Sequence, residues 1–159
     1  MECMTLKSIF KHMFNFGLIG LLSMPAMAEI IVKDGFVRAM PPSSPNTAAY
    51  FTLENHGPST ELIAVETNIA KEAQLHTLLT ENDIVKMRQV EGFDLPSHGT
   101  LKLGEQGDHV MLLGLASPLA EGNMVTLLLK FKDGQTLEIK LPVAKAGNAQ
   151  ADEHHHHHH

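Results

Sequence analysis

Beyond position 28, apolar and polar residues alternate in short runs broken by turn formers, with little of the period that marks a helix. Strand-like runs fall at 29–37, 48–53, 61–67, 73–79, 84–90, 100–103 and 109–115. Asn55-His56-Gly57-Pro58, Gly92, Pro96, Gly99, Gly104 and Gly107 punctuate them. Residues 40–45 form a proline and serine loop that neither a helix nor a central strand accommodates. The last two runs, 124–132 and 135–143, flank Asp133-Gly134, and Asp-Gly between alternating apolar arms is a strong hairpin signal. A second such pair, Asp34-Gly35, marks a tight turn inside the first run. Residues 68–71 leave room for a helical turn. Eight or nine short strands at intervals of about ten residues predict an all-β, two-layer sandwich in a single domain.

Both ends stand outside that pattern. Lys7 and Lys11 precede an apolar stretch at 13–22, and Ala26-Met27-Ala28 supplies the small residues of a cleavage site. This is the layout of a secretory signal, with an apolar core too short to span a membrane. Residues 1–28 are therefore expected to be a signal peptide for export to the periplasm, and the domain to cover 29–143. Residues 144–153 read as a disordered tail. The histidines at 154–159 read as a purification tag, which removes six of the eleven histidines from the argument. The one cysteine, Cys3, lies in the leader, so the exported domain has no disulfide and rests on its apolar core. The whole chain carries a net charge of −6, and without Glu2, Lys7 and Lys11 there remain 17 acidic and 10 basic residues, about −7. That balance offers no basic surface for nucleic acid.

Candidate chemistry concentrates between Gln74 and Leu115. His76 is followed after ten residues by Met87, after twenty-one more by His109, and after one more by Met111. His109 and Met111 are two apart on a predicted strand and share a face, while Val110 and Leu112 turn into the sandwich. Met87 shares a face with Val85 and Gln89, and Lys86 and Arg88 beside it suggest an edge strand. Thioether with neutral imidazole is the ligand mixture that suits Cu(I). In an oxidising compartment a thioether also escapes disulfide formation, although it can be oxidised to the sulfoxide. Each residue taken singly has a plainer role, since a strand methionine usually fills core and a single histidine usually faces solvent. On that basis His56 and His98 are assigned to solvent-exposed turns, Met40 to its loop or the core, and Met124 to the core.

Spacing and flanks together resemble the PCuAC (PCu(A)C) family of periplasmic copper chaperones. The carrying residues are Gln74-Leu75-His76, Val85-Lys86-Met87-Arg88, Leu95-Pro96 and His109-Val110-Met111-Leu112-Leu113-Gly114-Leu115. The likeness extends to Val37-Arg38-Ala39 with Pro41-Pro42, Ala49-Tyr50-Phe51 with Asn55-His56-Gly57, Pro118-Leu119 with Gly122, and Leu141-Pro142-Val143. It implies a cupredoxin-like Greek-key β-sandwich that binds one Cu(I) near its surface through His76, Met87, His109 and Met111. It also implies a carrier that passes copper to the CuA-bearing subunit of cytochrome c oxidase, with a Sco-type protein as a further partner. The chain itself is expected to be a monomer. Asp108 departs from the larger residue common at that place; it either orients the imidazole or faces water. The tail has neither His nor Met before the tag, so one native site is expected.

Other classes remain to be separated from a carrier. A blue-copper electron-transfer protein needs a Cys thiolate, which the exported segment lacks. A copper enzyme would need an acid/base or nucleophile constellation, and none stands out, so the expectation is that the protein is not an enzyme. Copper storage or scavenging, and a metal-free structural or adhesive sandwich, are the remaining alternatives.

Overall fold

The computed structural model describes residues 30–146. The expected signal peptide, the tag and all but the first three residues of the expected tail lie outside them. Ten strands follow in chain order: β1 (Ile30–Arg38), β2 (Asn46–Asn55), β3 (Thr60–Glu66), β4 (Ala70–Glu81), β5 (Ile84–Gln89), β6 (Phe93–Leu95), β7 (Thr100–Leu103), β8 (His109–Leu115), β9 (Met124–Phe131) and β10 (Thr136–Ala144). No helix occurs among the described residues.

Ladder order is β5-β4-β8-β2-β1-β10-β9-β3-β6, with β7 on the second half of β2. The chain alternates between two layers. Strands β1, β2, β4, β5, β7 and β8 form one, and β3, β6, β9 and β10 the other. The layers join through one short parallel junction, Val37 to Val143 and Arg38 to Ala144; every other pairing is antiparallel. This is the expected all-β sandwich. Its core draws Val37, Ala49, Phe51, Leu53, Val110 and Leu112 from the first layer against Leu62, Leu127, Leu129 and Leu141 from the second.

Three local expectations need correction. Asp34-Gly35 is not a turn, because β1 runs straight through it with a register shift between Val32 and Asp34, a β-bulge against β2. Residues 68–71 make no helical turn; β4 already begins at Ala70. The tenth strand is β6, whose three residues alternate buried, exposed, buried, a pattern too short to register in the sequence. The Asp133-Gly134 hairpin is as expected, with Gly134 at φ +88°.

Gly35 has a steric reason. Its φ is +158°, and a Cβ there would stand 2.6 Å from Phe51 Cβ and 2.7 Å from the Tyr50 carbonyl oxygen. Both neighbours belong to a central strand and have little room to yield. Gly35→Ala is expected to destabilise the fold by about 1–3 kcal/mol, read as a lower urea midpoint at unchanged m-value.

Candidate metal centre

Register places the four sequence-derived candidates on one face of the first layer. His76 on β4 lies directly opposite His109 on β8, and Gln74 opposite Met111. Met87 on β5 lies opposite Leu78, two residues along β4 from His76. Directly paired residues, and residues two apart, share a face, so all four side chains leave the same side. His76 is the central member. Met111 and Met87 are each diagonal to it, on opposite flanks, at backbone separations of about 7–8 Å that long side chains can bridge. The imidazole rings of His76 and His109 have centres 6.0 Å apart.

As neutral imidazoles the two rings are held in different tautomers. His109 Nδ1 lies 2.8 Å from the Gly107 carbonyl oxygen, and a carbonyl only accepts, so Nδ1 carries the proton and Nε2 keeps its lone pair. Gln74 does the opposite for His76. Its amide nitrogen donates to Glu72 at 2.8 Å, which turns its oxygen toward His76 Nε2 at 3.0 Å. His76 therefore holds its proton on Nε2. Its Nδ1 is buried without a partner, an acceptor lone pair with nothing to accept from.

His109 faces outward from the sandwich yet is only 3% exposed. Tyr50 covers it, with ring centres 6.3 Å apart. Tyr50 belongs to a small cluster on this outer face, with Phe36, Ala48 and Met111. Burial pushes the Tyr50 hydroxyl above its ordinary pKa; the Arg38 cation opposes this and Glu105 adds to it. The phenol therefore stays protonated at neutral pH.

Comparison with known proteins is decisive here. Residues 30–143 match the family described as putative lipoprotein LpqE-like. The solution structure of the Cu(I) form of DR1885 from Deinococcus radiodurans is 37% identical, covers 80% of this chain and 84% of its own, and superposes with a TM-score of 0.59. The chain belongs to the PCuAC family. The copper-bound PCuAC domain of PmoF2 shares the fold at a TM-score of 0.62 and 18% identity, over 73% of this chain and 92% of that one. A curated relative, putative lipoprotein Lxx21020 of Leifsonia xyli subsp. xyli, is 36% identical over 99 residues, or 61% of this chain. The match spans about three fifths of that relative's length, 60%.

In this PCuAC domain the donor set suits a soft ion. With metal–nitrogen bonds of about 2.0 Å, two imidazoles sharing one ion have centres at most about 6.4 Å apart, and the observed spacing falls inside that limit. Among the described residues no three His, Cys, Asp or Glu side chains are grouped to hold a metal. Met87 is half exposed at 51%, on an edge strand whose six residues are all exposed, as Lys86 and Arg88 had suggested. Met111 is partly buried against the Tyr50 cluster.

Other assignments meet mixed outcomes. His56 and His98 are exposed, as expected, and Met40 is partly buried in its loop. Met124 is not core. It is 59% exposed at the start of β9, where the inward parity belongs to Val125. The partner of the His109 ring is the Gly107 carbonyl; Asp108 instead accepts the Gly104 N–H through its own carbonyl, at 2.7 Å. Tyr50, Gln74 and Gly107 were not singled out from the sequence as parts of the site. Parity alone hinted at Tyr50, which shares a face with Ala48.

Burial first, and then His109, hold the His76 pKa below the ordinary value of 6.5. A histidine with a depressed folded pKa favours the neutral form in the fold. As pH falls below about 6.5 the unfolded chain takes up this proton first, so stability declines until the folded ring also protonates. Urea midpoints of metal-free protein should therefore drop as pH falls below about 6.5, and His76→Gln should flatten that drop.

Proposed function

We propose that this protein is an exported copper chaperone that holds one Cu(I) with His76, Met87, His109 and Met111. The observation that carries the reading is the direct pairing of His76 with His109 on one sheet face, with a thioether diagonal on each flank. Copper is cargo in this reading, which makes the protein a carrier and not an enzyme. Two neutral imidazoles and two thioethers leave the charge on a monovalent ion uncancelled, and no cysteine has to be kept reduced. A thiolate-free set fits a donor that yields its metal to a stronger acceptor.

The relatives support this reading in different ways. DR1885 is described with Cu(I) bound, and PmoF2 with copper. The Leifsonia relative and the LpqE-like family are described as putative lipoproteins, which accords with export, periplasmic residence and the signal-like residues 1–28. The acceptor we favour is the CuA-bearing subunit of cytochrome c oxidase, with a Sco-type protein as a second partner and the chaperone itself a monomer.

Tag-free protein should bind one equivalent of Cu(I), and X-ray absorption should count two sulfur and two nitrogen neighbours. His109→Ala or Met111→Ala should weaken binding by more than about 100-fold, the upper end for loss of an outer partner. Met87→Leu, on the exposed edge, should cost less than either. Zn²⁺ should compete poorly, because it favours thiolate, imidazole and carboxylate over thioether. Absence of stoichiometric binding would leave a metal-free sandwich domain.

A further inference from the structure

The wall beside His109 is held from a distance. The loop 104–108, between β7 and β8, supplies the Gly107 carbonyl that accepts a hydrogen bond from His109 Nδ1–H. Its backbone closes on itself, with the Gly104 N–H donating to Asp108 at 2.7 Å and the Gly107 N–H to Gly104 at 3.2 Å. Packing does not hold it. Glu105 and Gln106 are exposed, and a Cβ added at Gly104 or Gly107 would meet nothing within 4 Å.

What crosses from this loop to the strands is the Glu105 carboxylate, which accepts a hydrogen bond from the Arg38 guanidinium. Arg38 is itself well anchored. Its carbonyl accepts from the Thr47 hydroxyl at 2.6 Å, and its backbone pairs with Ala144 at the junction of the two layers. Its guanidinium lies over the Tyr50 ring, 5.5 Å from the centre. The same ring covers His109.

We propose that Arg38 and Glu105 form a brace that positions His109. Glu105 acts through the loop and Arg38 through Tyr50, so that the imidazole keeps its Nδ1 proton and presents Nε2. Both are positioning residues, since each acts on the imidazole through another group. The consequence for copper rests on the carrier reading above; the tautomer of His109 does not.

The brace should show in the histidine and not in the stability of the fold. Its ends are 35% and 33% exposed, and an ion pair so placed contributes little to folding. Loss of an outer partner of a metal-binding histidine costs about 10–100-fold in affinity, and an indirect brace belongs at the lower end, about tenfold.

The test uses tag-free protein. Long-range proton–nitrogen NMR of metal-free wild type should show His109 as the Nδ1–H tautomer, and Glu105→Ala or Arg38→Ala should admit the Nε2–H form. Glu105→Gln, which keeps an accepting oxygen, should restore the wild-type pattern. Titration of Cu(I) against a chromophoric chelator should show about tenfold weaker binding for either alanine variant. The double variant should be no weaker, because the two residues act as one unit. Thermal midpoints should stay close to wild type. An unchanged His109 tautomer in Glu105→Ala overturns the proposal, as does an additive loss in the double variant. Should Arg38→Ala fail to fold, the two Glu105 variants decide. If wild type binds no Cu(I), the carrier reading falls while the metal-free NMR still judges the brace.

Discussion

The constraint on which the rest depends is the registration of β8 between β2 and β4. Val110 and Leu112 are fully buried, and they alternate with His109 and Met111. A slip of one residue would turn every side chain of β8 to the opposite face. It would take out of the core two side chains that each contribute about 1.5–3 kcal/mol by leaving water, and put an imidazole and a thioether into the apolar interior in their place. A single hydrogen bond on the outer face contributes about 1 kcal/mol net. The apolar side of the strand therefore fixes where its polar side points. Neighbouring strands repeat the arrangement, with Leu75 inward between Gln74 and His76 on β4, and Ala49 and Phe51 inward around Tyr50 on β2.

The outer face adds a second level. Phe36, Ala48, Tyr50 and Met111 form a small apolar group on the solvent side of the first layer, so His109 is desolvated without entering the main core. An imidazole in that position needs a polar partner for one nitrogen, and the Gly107 carbonyl supplies it. His76 obtains its own through Gln74 and Glu72. The two rings stand side by side with their protons on different nitrogens. One keeps a lone pair on Nε2 and the other on Nδ1.

What the chain revealed before folding was whatever depends on near neighbours. Alternation along 109–115 gave the facing of His109 and Met111, Asp133-Gly134 gave the last hairpin, and Lys86 with Arg88 gave the edge character of β5. Asp34-Gly35 misled because the same dipeptide serves a turn or a bulge, and strand β2, not the dipeptide, decides which. Phe93–Leu95 was too short to show a period. Met124 reads as core in the sequence because a methionine carries no polarity to mark its side; its exposure follows from the parity of Val125. The direct opposition of His76 and His109 depends on the register of β4 against β8, which no local pattern encodes. Arg38 and Glu105, 67 residues apart, meet only in the folded chain. The Gly107 carbonyl has no side-chain signature at all.

Strand β5 ends its layer with its outer row of N–H and C=O groups unpaired within the sheet. Such an edge, bearing Ile84, Val85 and Met87 in the open, would ordinarily invite a second molecule to extend the sheet. Lys86 and Arg88 oppose this. Glu81 is the carboxylate that pairs with both. A strand added along this seam would have to desolvate those two cations and their shared partner, a cost that an apolar edge would not impose, while the uncharged side chains between them stay open.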